Sequence, residues 1–201
     1  MVLPLYPQYC AATTASTFDG LAAALRRRRR LPSLYFLAGY HDHPAYLDAC
    51  AAAIAEHRAA QGAGERLLLS FHGMPEKSAR AGDPYRDQCL TTAAAIAERL
   101  GLGEGQWLAT FQSRFGPGRW LTPYTDATLL EWAREGVRAV DVFCPGFAVD
   151  CLETLEEIGE RYRELFLNAG GERFSYIPAL NSRPAHVAAL TDLVRPLLSA
   201  H

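Results

Sequence analysis

A chain of 201 residues, 49% of them hydrophobic, can bury a sizeable core and is long enough for one large or two small domains. Its formal net charge of -2 supplies no basic field for holding nucleic acid through its phosphates, so no nucleic acid is expected as a partner. No apolar run approaches the roughly 20 residues of a spanning helix, and Met1-Val-Leu-Pro lacks the basic head and cleavage site of a secretory signal, so a cytoplasmic location is expected.

Val2 to Tyr9 reads as the end of a strand running into a loop, so the chain opens in the middle of a structural unit. Thr13 to Asp19 is rich in capping residues and leads into a helix over Gly20 to Leu25 that ends in Arg26 to Arg30 before Pro32. Five cations suit the negative end of a helix dipole; peripheral contact with an anionic membrane or an acidic partner is the other reading of them. Leu34-Tyr-Phe-Leu37, closed by Gly39, is expected to be a short buried strand. His41-Asp-His43 has metal-capable side chains, but a short polar cluster before Pro44 also makes a turn and helix start, which is the expected role. A helix from Tyr46 to about Arg58 follows, and Gln61-Gly-Ala-Gly64 marks a unit boundary near residue 62.

Arg66 to Phe71 is a second buried strand, and Gly82-Asp-Pro-Tyr85 turns the chain into a helix from about Asp87 to Leu100. Gly101-Leu-Gly-Glu-Gly105 follows a helix, whereas a dinucleotide loop must follow a strand and open a helix; it reads as a helix end. Next come a strand over Trp107 to Phe111, a Gly/Pro-rich loop to Trp120, a helix over Thr128 to Glu135 and a strand over Val137 to Phe143. A helix starting near Asp150, a strand over Arg173 to Ile177 and a closing helix over His186 to Leu198 complete the chain. The βα alternation predicts an α/β fold with a parallel sheet flanked by helices. The five cysteines, Cys10, Cys50, Cys89, Cys144 and Cys151, are scattered and odd in number, which predicts neither a disulfide framework nor a structural zinc site.

Chemistry concentrates at two breaks. His72 lies between a strand and a Gly-x-Pro turn, and the carboxyl ends of parallel strands are where α/β folds hold ligands. A neutral imidazole there can ligate a cation or accept a proton, although a lone histidine is also a common structural residue. Glu153 follows Cys144-Pro-Gly-Phe-Ala-Val-Asp150, and its spacing from Asp150 is that of a capping box in which the glutamate bonds back to the Asp150 N–H. At α-helical spacing, Glu153, Glu157, Glu160 and Glu164 share one face, either a solvated acidic face or a row of oxygens that hands a hydrated divalent cation inward. Ser113 is the one candidate nucleophile of a hydrolase reading, but the chain has no Gly-x-Ser-x-Gly elbow and no located base for Ser113.

Ser70-Phe-His-Gly-Met-Pro75, Gly82-Asp-Pro-Tyr85, Phe111-Gln-Ser-Arg-Phe-Gly116 with Trp120, and Cys144 to Glu157 together resemble the ferrochelatases. Pro4-Leu-Tyr-Pro-Gln-Tyr9 with Thr13-Thr-Ala-Ser16, and Tyr176-Ile-Pro-Ala-Leu-Asn181, extend the likeness along the whole chain. The resemblance implies a chelatase fold of two Rossmann-like domains around a porphyrin cleft, and insertion of ferrous iron into protoporphyrin IX as the last step of haem synthesis. It implies residues 1–62 as the remainder of the first domain, 63–183 as the second, and 184–201 as a helix packing back on the first. It also implies that the family's front segment, ahead of Pro4 to Tyr9, is absent here, so that the 201 residues alone are expected to lack normal activity.

Carried over by motif, the resemblance makes His72 and Glu153 the metal- and proton-handling pair and Glu157 an outer acidic position on the metal's path. It sets Tyr9, Ser16 and Trp120 on the porphyrin cleft. Cys10 and Ala15 stand where relatives commonly carry Ser and Gly. Nothing after Cys151 can hold the [2Fe-2S] cluster of animal-type relatives, so no cofactor is expected beyond the substrate Fe²⁺, and the complete protein is expected to be monomeric. The rival readings are a chelatase for another divalent ion such as cobalt, and a truncated, non-catalytic porphyrin-binding remnant.

Overall fold

A computed structural model describes residues 1–198; the last three residues of the expected closing unit lie outside it. Four strands, β1 (Arg66–His72), β2 (Trp107–Gln112), β3 (Ala139–Phe143) and β4 (Arg173–Ile177), form one parallel sheet in the order β2-β1-β3-β4. Because β1 has a hydrogen-bonded neighbour on each side and helices over both faces, its middle is apolar except for Ser70: Leu67, Leu68, Leu69 and Phe71 are all fully buried. Their alternation sends Leu67, Leu69 and Phe71 to one face, with Tyr46 and Ile54 of α2 (Pro44–Gln61) and Cys89 and Ile96 of α4 (Tyr85–Arg99). Leu68 joins Val140 and Val142 on the other face, against Leu129 and Trp132 of α5 (Thr125–Arg134) and Phe166 of α6 (Arg163–Asn168).

The closing helix α7 (Pro184–Leu198) packs on α2. Helix α2 in turn shares its core with β1 and α4, so the expected boundary near residue 62 is a break in the chain's regular structure but not a break in packing. His41-Asp-His43 is a turn, with His43 the cap ahead of Pro44 at the start of α2. A short helix, α3 (Glu76–Arg80), not anticipated from the sequence, fills the segment after Pro75.

The front of the chain differs from expectation. Ala11–Ala15 is a π-helical turn that continues into α1 (Ser16–Leu25), so the helix starts earlier than Gly20. Leu34 to Leu37 is not a buried strand. A single parallel bridge joins Val2 to Phe36, and Leu34 is exposed, because a strand needs a ladder of partners and, among the described residues, Val2 alone is bridged to this segment. Arg26 to Arg30 are all exposed at the end of α1, the solvated helix end anticipated for them. All five cysteines are free.

Candidate active site

The strand order reverses direction at β1: the chain steps from β1 outward to β2, then crosses back to β3 on the other side. In open parallel sheets, the crevice beyond the carboxyl ends of the strands flanking such a reversal is where ligands bind. His72 is the last residue of β1, and the loop leading to Glu153 leaves the end of β3, so the topology brings the two candidate groups to one crevice.

The His72 ring is held through Nδ1, 2.7 Å from the Gly73 carbonyl oxygen. That oxygen can only accept, so the neutral ring carries its proton on Nδ1 and keeps a lone pair on Nε2 for a cation or a proton. Tyr85 O–H donates to the His72 carbonyl at 3.0 Å, and the Phe147 ring lies 6.5 Å from the imidazole, centre to centre. Gly73 is required by close approach. Its N–H donates to the Gln112 carbonyl at 2.7 Å, and a Cβ there would stand 2.5 Å from that same oxygen and 3.2 Å from the Trp120 ring.

Glu153 opens a π-helix, Glu153–Tyr162, that runs directly into α6. The anticipated capping box is not made. The Asp150 N–H is taken by Asn181 Oδ1 at 2.9 Å, and the back-bond is made one residue later, where Thr154 Oγ1 accepts from the Cys151 N–H at 2.9 Å. Asp150 instead receives Tyr176 O–H, the Ala179 N–H, the Asn181 amide and Thr154 O–H, a cage that fixes the start of the helix from β4's side. Glu153 is thereby left half-buried and unspent as a cap. A hydrogen bond from the Cys151 thiol, then its own backbone N–H, hold its carboxyl below the usual range; partial burial opposes them and the neighbouring His72 adds to them. Glu153 is thus a standing anion beside His72.

The acidic row does not form one face. A π-helix closes its turn at i to i+5, and the side chains pair at that interval: Arg161 reaches Glu156, and Tyr162 O–H donates to Glu157 at 2.8 Å. This winding turns Glu157 inward, at 5% exposure, while Glu160 and Glu164 stay exposed. The Glu157 carboxylate also receives the Ser113 N–H at 2.9 Å, the Ser113 hydroxyl and, at 3.4 Å, the Gln112 amide. An outer acidic position open to a passing cation is therefore not what surrounds Glu157. Ser113, held at φ 59°, spends its hydroxyl on this carboxylate and has no histidine partner among the described residues.

Below Glu153 lies a buried polar chain that residue-by-residue reading missed. Ser70 Oγ bonds Gln112 Oε1 at 2.7 Å and Thr125 Oγ1 at 2.9 Å, and Gln112 Nε2 donates to the Glu153 carbonyl at 2.9 Å. The signal was present as polar residues inside otherwise apolar strands, at Ser70 in β1 and Gln112 at the end of β2, for buried polar groups need partners.

His72 and Glu153 line one cleft of about 600 Å³, whose opposite wall is made by Tyr6, Gln8, Thr13 and Thr17. His72, Thr13 and Tyr85 also line a second, adjoining cavity of about 380 Å³ walled by Met74, Phe115 and Trp120. Trp120 is therefore at the site. Tyr9 and Ser16 are on neither wall: Tyr9 is half-buried with its N–H on Gln88, and the face of the first helix that meets the cleft carries Thr13 and Thr17, one turn apart. Among the described residues, no cluster of three or more His, Cys, Asp or Glu side chains could hold a metal by itself. A cation between His72 and Glu153 would take its remaining ligands from water or substrate, which suits a metal in transit better than a resident one.

The ferrochelatase family model matches residues 1–198. The chain is 58% identical to the ferrochelatase of Nitrosococcus oceani over 194 residues, 96% of this chain and 53% of the relative, and 55% identical to that of Marinobacter nauticus, covering 96% and 52%. The ferrochelatase of Aeromonas hydrophila is 53% identical, with 96% and 60% covered. The chain thus spans about half the length of the curated relatives it matches. Among solved structures, SirB from Bacillus subtilis with Fe³⁺ superposes with a TM-score of 0.62 at 14% identity, over 96% of this chain and 68% of that one, a likeness of fold. With its strand-end histidine and π-helical glutamate set at the reversal point of a parallel sheet, the chain belongs to the ferrochelatase family.

Proposed function

We propose that the protein inserts ferrous iron into protoporphyrin IX, forming protohaem as the last step of haem synthesis. The observation that carries this reading is the pairing of two unlike groups on one largely apolar cleft: His72 with a free Nε2 lone pair, and Glu153 held as an anion. Insertion forms four Fe–N bonds and releases two pyrrole protons, while the ferrous ion sheds its waters. A proton acceptor and an oxygen or nitrogen ligand must therefore face the ring centre. The lowered pKa of Glu153 makes it a weak base and a good cation ligand, which leaves the first proton to His72. The apolar walls at Phe147, Met74 and Trp120 suit a flat hydrophobic macrocycle. On this reading no resident cofactor is needed, the complete protein works as a monomer, and the metal and the porphyrin are its two partners.

The experiment follows zinc and ferrous insertion by loss of free-base porphyrin fluorescence, with cobalt run in parallel for selectivity. Spanning about half of its relatives' length, this chain is expected to turn over slowly, because holding the macrocycle against the reacting groups can supply about 7–11 kcal/mol of a barrier. His72→Ala should reduce the residual rate by about 100-fold or more with an unchanged melting temperature. Equal, measurable rates in the two proteins overturn the assignment of His72, and porphyrin binding with no insertion by either overturns the enzymatic reading in favour of a binding remnant.

A further inference from the structure

Between the end of β3 and the π-helix that Glu153 opens, residues 144–151 are neither strand nor helix, yet Phe147, Ala148, Val149 and Cys151 of this stretch line the cleft. A loop that delivers a reacting group needs anchors from outside itself. Asn181, in the turn between β4 and α7, supplies three. Its N–H donates to the Ala148 carbonyl at 3.0 Å, its Oδ1 accepts the Asp150 N–H at 2.9 Å, and its Nδ2 donates to the Asp150 carboxylate at 2.7 Å. The amide cannot be turned round, because a backbone N–H only donates and an ionised carboxylate only accepts.

Asn181 is itself held. Its φ of 47° lies in the left-handed region, which asparagine tolerates better than most residues. Its Nδ2 also donates to the Ala179 carbonyl at 3.1 Å, and the buried His186 of α7 donates its Nδ1–H to the Asn181 carbonyl at 2.8 Å. On its other side Asp150 accepts the Thr154 O–H at 3.2 Å, so the clamp reaches the residue after Glu153. Asn181 lines neither cavity of the site. We propose that Asn181 is a positioning residue for metal insertion: by clamping the backbone at Ala148 and Asp150 to the β4 side of the sheet, it sets how Glu153 faces His72. The inference rests on the role given to Glu153 above and adds the residue that aims it.

The test is a double-mutant cycle in this chain, read by zinc insertion into protoporphyrin IX and by calorimetric titration with zinc alone. Asn181→Gly accepts the positive φ and keeps both backbone bonds, so only the side-chain clamp is lost. It should lower kcat about tenfold while KM for the porphyrin stays within about twofold, and weaken zinc binding about fivefold. Asn181→Asp keeps the acceptor but turns a carboxylate oxygen on Asp150, and should lose at least as much. In a Glu153→Gln background, Asn181→Gly should have no further effect on either readout, whereas a residue that only supported the fold would cost the same in both backgrounds. Unchanged kcat and zinc affinity in Asn181→Gly, or an equal loss with and without Glu153, overturns the positioning role and leaves that of Glu153 standing. If Glu153→Gln by itself alters neither readout, or if the unaltered chain neither binds nor inserts zinc, both roles fall.

Discussion

The two walls of the cleft are built by different means. The wall that carries His72 and Glu153 rests on the sheet: β1 is paired on both edges, and the buried run from Ser70 through Gln112 ties the sheet to the π-helix backbone. The opposite wall, residues 4–17, has no such ladder. It is clipped to the body by separate bonds, the Gln8 amide to Thr92, the Tyr9 N–H to Gln88, the Ala11 N–H to Asp83 and the Tyr40 N–H to the Pro7 carbonyl, and α1 buries no residue at all. On the proposed reading, the groups that would meet a reacting atom within tenths of an ångström sit on the cooperative wall, and the groups that would only enclose a ligand sit on the clipped one.

The contrast is broken most directly at Glu157, whose buried carboxylate gathers Ser113, Tyr162 and Gln112. Glu157→Ala leaves those donors unpaired in the interior and is expected to cost about 3–5 kcal/mol of unfolding free energy, measured in urea. A cost below about 1 kcal/mol would mean that the reacting wall is no more tightly built than the other.

Asp150 gives an intermediate effect with a pH signature. Burial alone would raise its carboxyl, but the donors from Tyr176, Asn181, Ala179 and Thr154 outweigh it, and the net shift is downward. With the folded pKa below the unfolded one, its contribution is whole above the unfolded value of about 3.9 and is lost as pH falls through the folded value. Asp150→Asn should cost about 1–2 kcal/mol at pH 7, after allowance for solvent screening, and flatten the fall in stability below about pH 4. Glu153, shifted the same way, leaves a residual slope. An unaltered acid profile would show that the cage does not depend on the Asp150 charge.

The smallest effect belongs to the clipped wall. Asp83 accepts the Ala11 N–H at 2.8 Å and the Tyr85 N–H at 3.0 Å, and Asp83→Ala should cost about 0.5–1.5 kcal/mol. Amide exchange at Ala11 should rise while exchange in β1 stays slow, which sharpens the comparison. Faster exchange at Leu68 in the same variant would show instead that both walls open as one unit.

Much of this was legible in order along the chain. Continuous apolar runs bounded by Gly and Pro determined the four sheet strands to within two residues, because a doubly covered parallel strand must be apolar on both faces. They also set His72 at the break after one of them, and the structure extends that strand by one residue to include it. Three features were decided only by tertiary contacts. Leu34 to Leu37 carries a strand's composition but, among the described residues, has Val2 alone bridged to it, and a ladder cannot be read from one of its members. Asp150 and Glu153 have the spacing of a capping box, yet Asn181, Tyr176 and Ala179, brought in across β4, take the groups that the box would use. Glu157 has the sequence position of a solvated acid and is buried, because Ser113 and Gln112 approach from 44 and 45 residues away to satisfy it. Local pattern determines where a backbone is extended or wound. Which carboxylate is left free for a cation depends on donors that only the closed fold brings within reach.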